Sequence, residues 1–321
     1  MTTSASTPNT APEIVPVAVG VIRDGNRILL AKRPDHVHQG GRWEFPGGKR
    51  EPGEDRFAAL ARELEEELGI RPRGARPLIR IRHDYPDKSV ELDVWSVTAY
   101  TGEPRGREGQ LIHWIDQDEL PGLDFPAANR PIVTAARLPS CYLITGAFED
   151  RRDFRTRLER ALSRDVKLVQ LRAHHLRPDE YLALAREALA VCRDAGARLL
   201  VNAAPELARE IGADGVHLTS RQLLRLTARP LPADWLVAAS VHNAEQLRHA
   251  GRIGVDFSVL SPVAATTSHP QAEPLGWARF SELIEPVSHP VFALGGMQET
   301  DLPVAWNAGA QGIAAIGAFW S

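Results

Sequence analysis

Apolar residues follow two different rhythms along this chain of 321 residues. In the first part, strand-like runs are unevenly spaced. Two of them, "VPVAVGVIR" and "RILLAKR", flank "DGN", which is typical of a β-hairpin. A helical segment follows, then two more strand-like runs, and a helix is predicted over residues 127–138. This part is therefore predicted to be an α/β domain.

The second rhythm is regular and begins after residue 140. Segments of helical length separate most of its eight short apolar runs, which are "CYLITG", "KLVQLR", "RLLVNA", "GVHLT", "WLVAASV", "FSVLSPV", "PVFALGG" and "GIAAIGAF". Eight buried strands that alternate with helices predict a (β/α)8 TIM-type barrel. Because the chain stops at Ser321, just after the eighth run, the last helix is expected to be missing.

These rhythms predict three segments. Residues 1–13, rich in Ser, Thr and Pro, are expected to form a flexible tail. Residues 14–138 form the first domain and residues 139–321 the barrel. Since the linker near residues 138–140 is short, the two domains are expected to touch.

Composition and charge narrow the function classes. A net charge of −3, with basic and acidic residues interspersed, argues against stable binding of nucleic acid. Two isolated cysteines are typical of a reduced cytosolic protein, and no apolar stretch approaches the roughly 20 residues that span a bilayer. With no signal peptide at its start, the chain is predicted to be cytoplasmic and free of membranes. Its oligomeric state stays open.

The helical segment of the first domain gathers like charges. Glu63, Glu66 and Glu67 lie three and four residues apart and share one helix face. The opposite face carries the apolar stripe Leu60, Leu64 and Leu68. One interpretation is a solvated charged face. However, the preceding "FPGGKREPGE", with three glycines and two prolines, predicts a tight backbone that can approach a ligand. Converging carboxylates beside it favour Mg²⁺, or Mn²⁺, bound together with substrate phosphates.

This region resembles the Nudix hydrolases. The matching positions are Gly48, Glu54, Arg62-Glu63-Leu64, Glu66-Glu67 and Gly69-Ile70, at the spacing of the whole Nudix box. The resemblance implies an α/β/α sandwich with a mixed sheet, and hydrolysis of a nucleoside diphosphate linked to another group. It also implies a metal site formed by the Gly47 carbonyl with Glu63, Glu66 and Glu67. Arg62 would orient a glutamate, and Glu54 would support the loop or a second metal. Glu108 would be a further ligand or the general base.

Other segments resemble the MutT-type 8-oxo-dGTP diphosphatases, among them "AKRPDHVHQGGRWEFPGGK", "GEPRGREGQ" and "DFPAANRPIV". The resemblance implies that Arg33 and His38 contact the sugar-phosphate side of a small nucleoside triphosphate. It places Glu44, Phe45, Pro46 and Gly47 around the substrate base and implies that Asn129 reads the base edge. The implied reaction converts 8-oxo-dGTP to 8-oxo-dGMP and pyrophosphate and so protects the nucleotide pool, although a Nudix hydrolase of other nucleotides is the alternative.

Asn129 also has a chemical rationale. Oxidation at C8 turns guanine N7 from an acceptor into an N–H donor, while O6 stays an acceptor. One carboxamide can then accept from N7–H and donate to O6, whereas ordinary guanine leaves the amide oxygen facing a lone pair. The alternative for Asn129, within "AANRP", is a helix N-cap.

The barrel half resembles thiamine-phosphate synthase and the related thiazole tautomerase through "YLITG", "VQLR", "LLVNAAPELAREIGADGVHL", "ASVHNAEQL" and "FALGGM". Gly295 and Gly296 suit either a phosphate site or a tight turn. The resemblance admits a bifunctional protein that binds or processes a thiamine-precursor phosphate, but the chain departs from the family's pattern. Residues that replace the expected functional groups are Ala203, Gln222, Pro262, His269 and the pair His174-His175. The barrel is therefore predicted to be degenerate, with a binding or scaffold module as a further alternative.

Overall fold

The computed structural model describes residues 14–35, 39–85, 88–266 and 271–320. Its first domain contains the strands β1 (Ile14–Asp24), β2 (Arg27–Lys32), β3 (Trp43–Glu44), β4 (Gly47–Lys49), β5 (Arg71–Asp84), β6 (Ser89–Thr101) and β7 (Ile112–Asp116). They form one sheet in the order β3-β2-β1-β6-β5, with β4 beside β1 and β7 beside β2. Because β1 and β6 are parallel while the other pairs are antiparallel, the sheet is mixed.

Two helices, α1 (Arg56–Leu68) and α2 (Arg130–Arg137), cover opposite faces of this sheet. The Asp55 carboxylate caps α1, and Gly69 ends it in the left-handed region, at φ 73°. The predicted apolar stripe is fully buried against the sheet. Helix α2 packs on the other face through residues such as Ile132. The predicted α/β/α sandwich is confirmed.

Two local predictions change in the structure. The helix predicted over residues 127–138 is a 3-10 turn, Ala127–Asn129, followed by α2. The glycine-rich segment before α1, for which only a tight backbone was predicted, contains the strand β4, which pairs with β1. A Cβ at Gly47, whose φ is 144°, would lie 2.1 Å from the Ala18 carbonyl oxygen, so only glycine fits this pairing. Another short 3-10 turn covers Leu120–Gly122.

The second domain is a closed parallel barrel. Its strands are β8 (Cys141–Ile144), β9 (Leu168–Leu171), β10 (Arg198–Val201), β11 (Gly215–Leu218), β12 (Leu236–Val241), β13 (Phe257–Leu260), β14 (Val291–Leu294) and β15 (Gly312–Ala315). Each lies within one of the eight predicted apolar runs. The barrel closes where β15 pairs with β8, and the predicted TIM-type fold is confirmed.

The helices around the barrel are α3 (Arg151–Ser163), α4 (Pro178–Asp194), α5 (Pro205–Ile211), α6 (Ser220–Leu223), α7 (Ala244–Ile253), α8 (Gly276–Ile284) and α9 (Leu302–Asn307), with a 3-10 turn at Glu299–Asp301. After β15, residues 316–320 contain no helix. Instead Trp320 is buried, packs on Phe154 and donates from its indole nitrogen to the Ala147 carbonyl at 2.9 Å. Among the described residues, no helix is long and apolar enough to cross a membrane.

The two domains are in contact where the barrel strands begin. Leu138, just after α2, is 5% exposed and belongs to the apolar cluster inside the barrel, together with Tyr142 and Phe257. A second contact joins β5 to α9, because the Arg76 guanidinium lies 4.4 Å from the centre of the Trp306 ring. The sandwich therefore closes the N-terminal end of the barrel.

Candidate active site

Arg62 organises the acidic face of α1. Its Nε and Nη2 each donate to a Glu54 oxygen at 2.9 Å, and its Nη1 donates to Glu63 at 2.8 Å and to Glu66 at 3.2 Å. Hydrogen bonds and attraction from Glu54 and Glu63 raise the pKa of Arg62, while its guanidinium holds the pKa of Glu54 at about 2. The bond from Nη2 to the Lys49 carbonyl, 3.0 Å, also ties α1 to β4.

Glu67 lies on the same acidic face of α1, but its pKa is shifted in the opposite direction from that of Glu54. One of its carboxylate oxygens accepts from the Gly47 amide at 3.0 Å. Burial raises the pKa of Glu67 to about 8, and repulsion from Glu44, Glu108 and Glu63 adds to the shift. The groups that add to it are all carboxylates, so the site concentrates negative charge around Glu67.

Glu108 reaches this site on the loop between β6 and β7. Gln110 holds the loop, because its amide nitrogen donates to the Glu67 carbonyl at 3.1 Å and its amide oxygen accepts from the Glu108 backbone at 2.9 Å. The Arg107 backbone donates to the same Glu67 carbonyl at 2.9 Å. Sequence reasoning gave Gln110 no role, since nothing local indicates a bond to a carbonyl 43 residues earlier.

The donor set suits a hard divalent cation. As the described side chains are placed, no three His, Cys, Asp or Glu residues come close enough together to hold an ion. Arg62 occupies Glu63 and Glu66 in this arrangement. Glu67, by contrast, is partly buried, and burial raises its pKa by disfavouring the ionised carboxylate. A bound cation would stabilise that ionised form.

Gly48 lets this helix approach the sheet. A Cβ at Gly48 would lie 2.2 Å from a Glu63 carboxylate oxygen. Any larger residue would therefore displace the carboxylate, which gives this glycine a direct steric reason to be at the first position of the box.

Most residues assigned to nucleotide contact lie just after β2, where Arg33 stands, on β3, which contains Glu44, and in the segment that follows β3. Arg33 forms an ion pair with Glu44, and burial raises the pKa of Glu44 despite that pairing. Phe45 is 3% exposed and stacks on Phe125 at 5.5 Å between ring centres, so it belongs to the core beside the site. Pro46 is buried, and its carbonyl accepts from the Gly20 amide at 2.8 Å. His38 lies outside the described residues.

Asn129 is half-buried at the start of α2. It occupies the N-cap position, yet its side chain makes no capping hydrogen bond. The geometry therefore does not support the capping role that the sequence left open, and the carboxamide has no structural duty of that kind.

The barrel has a cavity of about 550 Å³ at the C-terminal ends of its strands, where barrel enzymes bind substrates. Its described lining contains no Asp or Glu but includes Arg172, His174, Asn202, Ser240, Gly295 and Gly296.

Several nearby polar groups already have protein partners. The Asn202 amide donates to the His217 carbonyl at 2.7 Å, and Ser240 hydrogen-bonds the His217 ring at 2.8 Å. Gln222 belongs to a capping box with Thr219. The departures noted in the sequence thus leave a cavity without carboxylates in its described part.

Comparison with known proteins gives two matches along the chain. Residues 18–135 match the NUDIX domain, and residues 141–319 match thiamine monophosphate synthase. The Escherichia coli 8-oxo-dGTP diphosphatase is 40% identical over 118 residues, which are 36% of this chain and 92% of that protein. The Haemophilus influenzae 8-oxo-dGTP diphosphatase is 39% identical over 122 residues, 38% of this chain and 90% of that protein.

The barrel has equally clear relatives. Putative thiamine-phosphate synthase 2 of Aquifex aeolicus is 36% identical over 182 residues, which are 57% of this chain and 98% of that protein. Fold and site thus define a Nudix hydrolase domain joined to a barrel of the thiamine-phosphate synthase type. The chain belongs to the NUDIX family through its first domain and to the thiamine monophosphate synthase family through its second.

Proposed function

We propose that the protein is a Mg²⁺-dependent pyrophosphohydrolase that converts 8-oxo-dGTP to 8-oxo-dGMP and pyrophosphate. The observation that carries the proposal is the carboxylate cluster around Glu67, where burial and three neighbouring acids raise a carboxylate pKa beside the Gly47 backbone. The 8-oxo-dGTP diphosphatases among its relatives support the choice of substrate.

In this proposal the cation is held by the Gly47 carbonyl with Glu63, Glu66 and Glu67. When bound, such a cation draws charge off the phosphates and lowers the pKa of a coordinated water. Arg62 retains its two bonds to Glu54, which keep the loop before α1 in place. Glu108 contributes a further carboxylate to the site, at the position that Gln110 fixes.

Base recognition is assigned to Asn129. Its carboxamide, which does not cap α2, accepts from the N7–H of 8-oxoguanine and donates to O6. With ordinary guanine, the amide oxygen meets an acceptor, and a buried polar group is left unpaired. In this assignment Arg33 lies on the sugar-phosphate side, and its ion pair with Glu44 connects it to the residues around the base.

We expect the purified full chain, with Mg²⁺, to hydrolyse 8-oxo-dGTP far more efficiently than dGTP and to release pyrophosphate, because the amide of Asn129 matches only the oxidised base. The measurement is kcat/KM for a panel of oxidised and normal nucleoside triphosphates, with monophosphate, pyrophosphate and phosphate quantified. EDTA should stop the reaction. Equal efficiency on dGTP would favour a Nudix hydrolase of other nucleotides, and release of phosphate would contradict the proposed site of attack.

For the barrel, we propose that it does not make thiamine phosphate. The cavity keeps Arg172 and the glycine pair Gly295-Gly296, which suit a phosphorylated ligand, but its described lining offers no carboxylate for a hard cation. Departure of pyrophosphate would then lack its main charge stabilisation.

The test is complementation of a strain that lacks thiamine-phosphate synthase. We expect the full chain not to restore growth without thiamine, while a functional synthase expressed from the same vector does. Growth with the full chain would show that the protein is bifunctional, as its synthase relatives allow.

A further inference from the structure

The C-terminal end of helix α2 is buried between the two domains, and the carbonyl groups of residues 135–138 all have side-chain partners there. The Ala135 and Leu138 carbonyls both accept from the Gln311 amide nitrogen, at 3.1 and 3.0 Å. The Arg137 carbonyl accepts from Arg198 at 2.7 Å. The Ala136 carbonyl accepts from a guanidinium of the first domain, that of Arg23.

Two of these three donors come from the barrel. Arg198 is the first residue of β10, and Gln311 directly precedes β15 and is 1% exposed. A helix end that is buried without donors for its last carbonyls is strongly disfavoured, and positive charge there also suits the helix dipole. The barrel therefore caps a helix of the Nudix domain.

The helix depends on such contacts. With 8 residues it has about two turns, well below the roughly 12 to 15 residues at which isolated helices become marginally stable. Its position must come from packing. The interior of the barrel supplies part of that packing, since Leu138 lies in the apolar cluster with Tyr142 and Phe257.

Asn129 stands at the other end of this helix. The helix is about 12 Å long at the usual rise per residue, so a tilt at its capped end displaces the carboxamide at its start. Arg130, the next residue, lines two clefts whose opposite walls are barrel residues such as Asp256. Both ends of the helix therefore lie against the barrel.

We infer that the barrel is a positioning element for nucleotide recognition. Gln311 and Arg198 act through α2 and set the place of Asn129. This inference rests on the proposed function, because it needs Asn129 to read the base. The three α1 carboxylates proposed to hold the cation lie on a different helix from the one that the barrel donors bond, so substrate recognition and chemistry should respond differently to changes in the barrel.

The test uses the full chain with Gln311→Met and Arg198→Met, which keep much of the side-chain volume and remove the donors. Arg186→Met is the matched control, since Arg186 is exposed and pairs with Glu210 on the outside of the barrel. Kinetic constants for 8-oxo-dGTP and dGTP are measured together with amide hydrogen exchange of α1 and α2. Thermal denaturation shows whether each variant folds.

We expect each barrel variant to lose about tenfold in kcat/KM for 8-oxo-dGTP through a higher KM, because small misplacement of a positioning group is costly. The kcat value and the kcat/KM for dGTP should stay within about twofold of wild type. Exchange should accelerate in α2 and not in α1. Arg198→Lys, which keeps a donor at this position, should recover part of the loss. If Gln311→Met does not fold, the comparison of Arg198→Met with Arg198→Lys tests the positioning role by itself.

Parallel losses for both nucleotides, or an unchanged KM despite faster exchange in α2, would overturn the positioning role alone. If wild type itself does not distinguish 8-oxo-dGTP from dGTP, the proposed function fails first, and the positioning role falls with it. The two failures are therefore distinguishable in a single data set.

Discussion

We expect Glu67→Gln to lower kcat for 8-oxo-dGTP by at least about a hundredfold, because a neutral amide is a poor ligand for a hard cation and leaves the phosphate charge uncompensated. Glu63→Gln has an effect of the same kind. In the Glu67→Gln variant the introduced amide oxygen can still accept the Gly47 N–H bond, so the local fold is kept. The measurement is steady-state kinetics at saturating Mg²⁺.

The matched control is Glu65→Gln, the same chemical change on the same helix. Glu65 pairs with Arg71 on the side away from the carboxylate cluster. The activity of the Glu65→Gln variant should therefore match that of wild type. A loss below about tenfold in Glu67→Gln, roughly 1.4 kcal/mol in the barrier, would exclude Glu67 as a metal ligand.

Glu67→Gln should also stabilise the metal-free protein. The pKa of Glu67 is raised from 4.5 to about 8, so the stability that its protonated form provides is present at acidic pH and is lost as pH rises towards 8. Glu67→Gln removes that loss. In EDTA at pH 8 the variant should therefore unfold at a higher temperature than wild type, and the difference should disappear near pH 4. Equal unfolding midpoints for the variant and wild type at pH 8 would show that ionised Glu67 does not destabilise the metal-free protein.

Asn129→Ala has the second large effect, on selectivity. We expect the ratio of kcat/KM for 8-oxo-dGTP to that for dGTP to fall by about a hundredfold or more, since sites that pair a polar substrate group discriminate by up to about 10⁴ to 10⁵. The kcat/KM for dGTP should change little, because ordinary guanine cannot form the N7–H hydrogen bond to the amide oxygen in wild type either. Parallel assays of both nucleotides with wild type and variant give the ratio.

Asn26→Ala is the control, because Asn26 is an exposed residue that bonds Asp116 at the hairpin turn, away from the site. Thermal denaturation separates recognition from capping. Loss of a capping side chain costs about 1 kcal/mol, whereas the Asn129 side chain makes no capping bond and its removal should leave the midpoint near that of wild type. An unchanged selectivity ratio would contradict base recognition by Asn129.

The sequence predicted the architecture because each element carries a strong local signal. The leucine stripe of α1 repeats every four residues and is fully buried, and each barrel strand lies within a run of apolar residues. The short strands β3 and β4 had no such signal. With two and three residues, and two glycines in β4, they exist only because β1 and β2 lie beside them.

The candidate site was predictable in its residues but not in its partners. Spacing placed Glu63, Glu66 and Glu67 on one face, yet it could not show that Arg62 bonds two of them while Glu67 accepts from the Gly47 amide. Contacts across long sequence separations were also out of reach. Gln110 to Glu67 and Gln311 to α2 are examples, because they depend on packing rather than on periodicity.

The capped joint gives the two ends of the barrel different surroundings. At the N-terminal ends of the strands, Arg198, Gln311 and the pocket around Leu138 contact the neighbouring domain, so we expect substitutions there to impair nucleotide hydrolysis. At the C-terminal ends, the cavity lies apart from these contacts, so we expect substitutions there to leave nucleotide hydrolysis unchanged. Deleting the barrel outright would expose the end of α2. The barrel can thus act as a brace for the neighbouring domain whether or not its own cavity binds a ligand.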